Sequence, residues 1–315
     1  MSFKARKVAI IGTGSVGASC AFALVNQCVC EEILLVDLKR DKAEGEALDL
    51  NHGIEYMSST TKIRVGTYED CKDVDVIVMT ASEPPRPNET RLDILEDSKG
   101  ICKMIVDSVM KAEFNGFFVL VTNPVDVIAY YTWKLSGLPK NRVIGTGTAL
   151  DTARLKTLIS AELDEVDTKS IQAFAMGEHG DSQMVPWSKV SIAGEPLLDL
   201  MKKNDKLAKL HLDKMELKTA KLGWDIYVTK GTTYYGIAST VVGIIKSIFH
   251  DDKKVIPVST LLEGEYGQND VYMGVPTVIG KNGVEKIIEL ELTDTEKEKF
   301  NNSANVIKKY IKKLG

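Results

Sequence analysis

The chain has 315 residues, 44% hydrophobic and 27% charged, an ordinary globular mix with enough apolar material for two domains. Its formal net charge of −4 offers no basic field for nucleic acid. No stretch approaches the roughly 18 consecutive apolar residues of a membrane span, so neither nucleic acid nor membrane is expected as a partner.

The N-terminus carries basic residues before an apolar run, as a signal peptide does. The run is short, Gly12 and Gly14 interrupt it, and no cleavage pattern follows, so residues 7–11 read as a buried strand. Residues 16–27 have helical apolar spacing. Residues 32–37 (EILLVD) are strand-like, and the type recurs at 75–80 (DVIVMT), 117–122 (FFVLVT) and 142–144. Helical patterns fill 41–51, 92–111 and 125–135. Continuous apolar strands alternating with helices imply a parallel sheet covered on both faces.

The texture changes near residue 150. A helix is predicted over 151–163, then strands over 170–175 and 189–192. A charged helix over about 205–229 continues past Gly231 into an apolar helix ending near 249. Residues 254–259 and 272–279 read as strands, and a Lys-rich helix over 293–314 closes the chain.

The cysteines, Cys20, Cys28, Cys30, Cys71 and Cys102, are odd in number and form no C-x-x-C pair. They read as free, mostly buried thiols of a reducing cytoplasm, with no metal site. Asn88-Glu89-Thr90 matches the glycosylation pattern, a chance match when no secretory signal precedes it.

Gly12-Thr13-Gly14-Ser15-Val16-Gly17 fits G-x-G-x-x-G directly after a strand and at the opening of a helix. Asp37 ends the next strand, 20 residues beyond Gly17, where a ribose-binding acid is required. Gly12 allows the tight turn, Gly14 lets backbone approach a pyrophosphate, and Gly17 lets helix pack on strand. The helix N-terminus offers its N–H groups and dipole to phosphate. Asp37 would repel a 2′-phosphate, which favours NAD over NADP, although Lys39 and Arg40 lie close by. The predicted fold class is therefore α/β: a Rossmann doubly wound parallel sheet over residues 1–148, followed by an α+β substrate domain over 149–315.

A dehydrogenase of 2-keto acids must clamp a carboxylate, polarise a ketone and deliver a proton as hydride arrives. Arginine suits the clamp and histidine the proton. Of the four histidines, His52 ends a helix, and His211 and His250 sit among polar residues. His179 stands in Gly177-Glu178-His179-Gly180-Asp181, a loop that can project a side chain into a cleft. Asp151 and Arg154 occupy neighbouring positions on one helical face, which by itself also fits a surface salt bridge. Arg91 also fits a solvated helix start, and Asn123-Pro124 a turn.

Taken in order, IGTGSVG, LLVD, NETRLDIL, VTNPVDV, GTGTALDTARL, GEHGDS and KGTTYYGIA resemble the lactate and malate dehydrogenase family, most closely its bacterial L-lactate branch, over essentially the whole chain. The resemblance implies that His179 donates and accepts the proton, that Asp151 holds its far ring nitrogen, and that Arg154 clamps the carboxylate. It further implies that Arg91 comes from a mobile loop to polarise the carbonyl, that Asn123 orients substrate, and that Thr233 bounds the pocket. Gly12, Gly14, Val16, Gly17, Asp37, Tyr68, Ala81 and Thr146 would hold NAD. The family implies a homotetramer or homodimer; the apolar stretch 241–249 fits an interface or a core.

Two departures stand out. Pro85 occupies the position where lactate enzymes carry glutamine and malate enzymes arginine, and Arg86 beside it is a basic residue common to both. Thr233 and Ile237 match the lactate type. The arginine and histidine that bind fructose 1,6-bisphosphate in many bacterial relatives align with Lys156 and Lys189, so little activation is expected. Tyr130 and Lys134 fit the Tyr-x-x-x-Lys spacing of short-chain dehydrogenases, but the glycine pattern is wrong and Tyr130 reads as a core residue.

Overall fold

Strand β1 (Lys7–Ile11) sets the layering. Val8 and Ile10 enter one apolar cluster while Ala9 and Ile11 enter another, because successive strand side chains point to opposite faces. All four are at most 1% exposed, so both faces of the sheet are covered. The computed structural model describes residues 5–82, 91–163 and 166–314, without the side chains of residues 91–94.

The first half runs β1, α1 (Ser15–Asn26), β2 (Glu32–Val36), α2 (Arg40–Gly53), β3 (Lys62–Val65), β4 (Val76–Met79), α3 (Arg91–Lys111), β5 (Phe117–Leu120), α4 (Val125–Ser136) and β6 (Val143–Gly145). The six strands are parallel in the order β6-β5-β4-β1-β2-β3. The chain winds outward in both directions from the β1/β4 pair, so a crevice opens beyond their C-terminal ends, where open α/β sheets bind ligands.

The second half comprises α5 (Ala149–Glu162), β7 (Ile171–Gln172), β8 (Ser191–Ile192), β9 (Glu195–Pro196), α6 (Leu197–Lys203), α7 (Leu212–Lys230), α8 (Tyr235–His250), β10 (Lys254–Glu263), β11 (Asn269–Gly280), β12 (Gly283–Ile287) and α9 (Asp294–Ile311). It is mixed α and β, but β10 joins β6 antiparallel through Ser259 and Gly145, so β10 to β12 extend the first sheet to nine strands. Short connections around Gln268 and Asn282 join these strands.

Several predicted segments are shorter than expected. Of residues 170–175 only Ile171–Gln172 is strand; of 189–192 only Ser191–Ile192 is, after a single 3-10 turn at Trp187–Lys189. The helix expected from 205 begins at Leu212; α6 and a 3-10 turn at Leu207–Lys209 precede it. Strand β3 escaped prediction because KIRV alternates charged and apolar residues at the sheet edge. The stretch 241–249 is core, with Val241, Val242, Ile244, Ile245 and Ile248 at most 3% exposed.

Gly12 has φ +100°, and a Cβ there would lie 2.7 Å from the Ala81 nitrogen. A Cβ on Gly17 would meet the Gly12 carbonyl oxygen at 1.9 Å. Gly17→Ala should therefore force α1 off β1, cost about 1–3 kcal/mol as overpacking does, and lower the thermal midpoint. A midpoint equal to the parent's contradicts that packing.

Candidate active site

The ends of the parallel strands deliver the candidate residues to one edge. Gly12 follows β1, Asp37 follows β2, Ala81 follows β4, Asn123 follows β5 and Thr146 follows β6. Beyond that edge lies a cavity of about 340 Å³ lined by Val16, Thr146, Asn123, Arg154, His179 and Thr233, among others.

The nucleotide end fits NAD. The space over Gly14 is open to 4 Å, while Gly12 and Gly17 are closed against backbone, so only the middle glycine presents a cradle. Gly14 caps α1, whose first turn contains no acidic side chain to oppose a phosphate. Asp37 accepts the Thr13 N–H at 2.7 Å and the Lys39 N–H at 2.9 Å. Burial pushes its carboxyl up, but these donors outweigh burial and hold it below the usual range. Arg40, three residues beyond Asp37, is paired with Glu44 at 2.9 Å. Tyr68 is half-buried close enough to feel the Asp37 charge, and Ala81 packs against Gly12.

At the other end three charged groups meet. Asp151, on the first turn of α5 and 2% exposed, accepts from the Arg154 guanidinium at 2.8 Å through one oxygen. Its other oxygen lies 2.6 Å from His179 Nδ1. That contact assigns the proton to Nδ1 and leaves Nε2 for the cavity. The Asp151 charge, opposed by burial, raises the imidazole to about 8. Burial works to raise Asp151 itself, but the imidazole and the guanidinium outweigh it and hold the carboxyl low. The pair is thus a structural ion pair and a chemical poise at once. Arg154 is backed by Gly223 of α7, where a Cβ would sit 3.3 Å from the guanidinium nitrogens.

The His179 loop is fixed at both ends. Met176 and Met184 bridge each other, and Gly177 exchanges two hydrogen bonds with Gly274 of β11, at 2.9 and 2.8 Å. Within it Glu178 accepts from the Ser182 hydroxyl. The His179 N–H donates to Asp126 of α4 at 2.8 Å, and the Ser259 hydroxyl of β10 donates to the other Asp126 oxygen at 2.6 Å. Burial raises Asp126 to about 6, against the pull of those donors.

Other expectations resolve unevenly. Arg91 is the first residue of α3, with its side chain outside the description; Arg86 and the proline segment lie outside the described residues. Lys156 is lowered by burial and by the like charge of Lys254 of β10, which lies close enough to be felt, whereas Lys189 is exposed at the end of its 3-10 turn. The cation beside Lys156 is therefore Lys254, a neighbour the sequence reading did not name. Tyr130 is 7% exposed and bonds Asp270 at 2.9 Å, and Lys134 bonds the same carboxylate, which ties α4 to β11. The sequence reading missed Ser98, whose hydroxyl donates to the Asn123 carbonyl at 2.7 Å, and it missed Asp126. A lone acid in the apolar run VDVIAYY was the available signal for Asp126.

Residues 6–145 match the lactate/malate dehydrogenase NAD binding domain, and residues 148–314 match the alpha/beta C-terminal domain of the same family. The chain belongs to the lactate/malate dehydrogenase family. It is 50% identical to L-lactate dehydrogenase 3 of Bacillus cereus over 316 residues, covering 100% of both chains. It is 46% identical to L-lactate dehydrogenase 1 of Bifidobacterium longum over 309 residues, covering 98% of each. The minor L-lactate dehydrogenase of Enterococcus mundtii, solved in a ligands-bound form, superposes with a TM-score of 0.96 at 40% identity over 98% of both chains. The lactate dehydrogenase of Cryptosporidium parvum, solved with lactic acid and NAD, gives 0.93 at 32% identity over 99% of both. As a member of this dehydrogenase family the chain is an NAD-dependent oxidoreductase. No helix among the described residues is long and apolar enough to cross a membrane.

The ion pair predicts a pH signature. A histidine at about 8 in the fold and near 6.5 unfolded adds about 2 kcal/mol of stability, fully present below pH 6.5 and lost as pH rises through 8. Between pH 6 and 9 the parent should lose more thermal stability than His179→Asn. Equal slopes contradict the poise.

Proposed function

We propose that this chain is an NAD-dependent L-lactate dehydrogenase that interconverts pyruvate and L-lactate. The observation that carries the proposal is the Asp151 carboxylate shared between His179 Nδ1 and Arg154, with His179 and Arg154 on the wall of the cavity that Val16 of the glycine motif also lines.

Gly12, Gly14, Val16, Gly17, Asp37, Tyr68, Ala81 and Thr146 hold the dinucleotide, with Asp37 accepting ribose hydroxyls. When bound, NAD supplies or accepts the hydride at the substrate carbon. Arg154 takes the substrate carboxylate, and its pairing with Asp151 limits how far the fork can turn. Asn123 hydrogen-bonds the substrate, and Ser98 holds its backbone from below. Arg91, at the head of α3, polarises the carbonyl, and Arg86 is a further substrate-binding residue common to lactate and malate types. His179, protonated at neutral pH, gives its Nε2 proton to the oxygen during reduction and takes it back during oxidation. Asp151 keeps Nδ1 occupied, so only Nε2 serves. Thr233 and Ile237 bound the substrate tail and favour a methyl group over a second carboxylate.

The functional boundary falls between residues 148 and 149, where the loop from β6 enters α5. Self-association as a homotetramer, or a homodimer, is supported by apolar side chains left on the surface, with Phe22, Leu48, Trp224, Val228 and Tyr235 between 50% and 68% exposed. The free thiols, four of the five buried, support a cytoplasmic location. Lys156 and Lys189 lack the planar fork of an arginine, so fructose 1,6-bisphosphate should change KM for pyruvate by less than about threefold.

Two measurements test this. His179→Asn should lower kcat by at least about 100-fold while NADH binding persists, as loss of an acid–base group does; unchanged turnover sinks the assignment. A panel of pyruvate, oxaloacetate and branched keto acids, run with and without the bisphosphate, should rank pyruvate first in kcat/KM. A preference for oxaloacetate would instead make the chain a malate dehydrogenase of the same family.

A further inference from the structure

The segment that carries and follows His179 is braced by α9. Glu296, Lys299 and Ser303 share one face of that helix, at the i, i+3 and i+7 positions, and all three take part. Glu296 accepts the Ser188 N–H at 3.0 Å and the Ser188 hydroxyl at 2.8 Å. Lys299 donates to Glu216 at 2.9 Å, and Glu216 in turn accepts the Val185 N–H and the Trp187 indole N–H, each at 3.2 Å. Ser303, fully buried, accepts the Glu178 N–H at 2.7 Å and lies 3.2 Å from the Ser182 hydroxyl.

From this geometry we infer that Ser303 is a positioning residue for the reaction: its hydroxyl holds together the two residues that flank the acid–base histidine, Glu178 before it and Ser182 after it.

The inference rests on His179 as the proton donor. The Ser182 hydroxyl gives its proton to the Glu178 carboxylate, so the Ser303 hydroxyl is left to donate to Ser182 Oγ. Ser303 thus accepts from one flank of His179 and donates to the other, and the loop closes on a single oxygen. Gly177 shows how close the approach is. Its φ is +96°, and a Cβ there would collide with Ser303 Oγ. Other groups dock the helix: Phe300, Ala304 and Ile307 are at most 1% exposed in the core, and the Thr293–Glu296 capping box fixes its start. The hydroxyl is therefore not what holds α9 on the body; what it adds is the grip on the loop. Asp151 fixes the His179 ring and Asp126 accepts the His179 N–H, but neither bonds the backbone of Glu178 or the side chain of Ser182. A displacement of about 1 Å at a reacting group can cost about 100-fold in rate, so a partial loosening of this loop is read in turnover.

The test compares two variants of the full chain. Ser303→Ala removes the hydroxyl and keeps the helix. Its kcat for pyruvate should fall about 5- to 20-fold, while KM for pyruvate and the NADH dissociation constant stay within about twofold of the parent, since Arg154 and the glycine turn are untouched. Ile307→Ala weakens the packing of the same helix without touching the loop; it should lower the thermal midpoint and leave kcat, measured well below that midpoint, at the parent's value. A parent-like kcat in Ser303→Ala, with any loss carried by KM, overturns the inference. So does a fall in kcat matched by a fall in the number of NADH sites, because the hydroxyl then only braces the fold. Should Ser303→Ala not fold, Ser182→Ala leaves the Glu178 N–H on Ser303 and should show the same split at about 2- to 5-fold; a parent-like kcat there overturns the inference equally. These results leave the reading of His179 intact, because only retained turnover in His179→Asn defeats the latter.

Discussion

A carboxylate that is 2% exposed and still ionised is the constraint on which the catalytic end of the molecule depends. Asp151 needs cationic partners in place, since an isolated charge there would cost several kcal/mol. Its two oxygens face different cations, the imidazole of His179 and the guanidinium of Arg154. Those are the groups that a 2-keto acid reduction needs at its two ends, one for the proton and one for the substrate carboxylate. On the proposed mechanism, stabilising the fold and setting the chemistry are the same interaction. The arrangement fixes both cations in relative position before any substrate arrives, which is where positioned catalysis gains most.

The rest of the fold serves to bring that group to the nucleotide crevice. The strand order around the β1/β4 pair places the glycine turn and Asp37 at one edge. The later strands do less obvious work. Because β10 adds to β6, Ser259 reaches Asp126; because β11 follows, Gly274 pins Gly177. The antiparallel extension of the sheet is what anchors the histidine loop. Fusion of the two halves into one nine-stranded sheet leaves little freedom between the His179 anchor and the dinucleotide edge.

Much of this was legible in the sequence. The continuous apolar runs alternating with helical patterns, and the Gly12-to-Asp37 spacing, specified the parallel sheet and its cofactor, because both follow from local geometry. The Asp151–Arg154 neighbourhood followed from helical spacing. What escaped was tertiary. Nothing local shows that residues 254–287 join the first sheet, and β3 hid because an edge strand with alternate charged residues looks like a loop. The charge of Lys254 felt at Lys156 and the hydrogen bond from His179 to Asp126 join residues about 100 and 50 positions apart, respectively, and no motif records them.

The most direct test of the shared carboxylate is a titration of the His179 ring nitrogens by 15N NMR in the parent and in Asp151→Asn. If Asp151 sets the poise, the parent imidazole titrates near 8 with Nδ1 protonated throughout, and the variant titrates clearly lower. A parent value near that of an ordinary histidine, unchanged by Asp151→Asn, would contradict it.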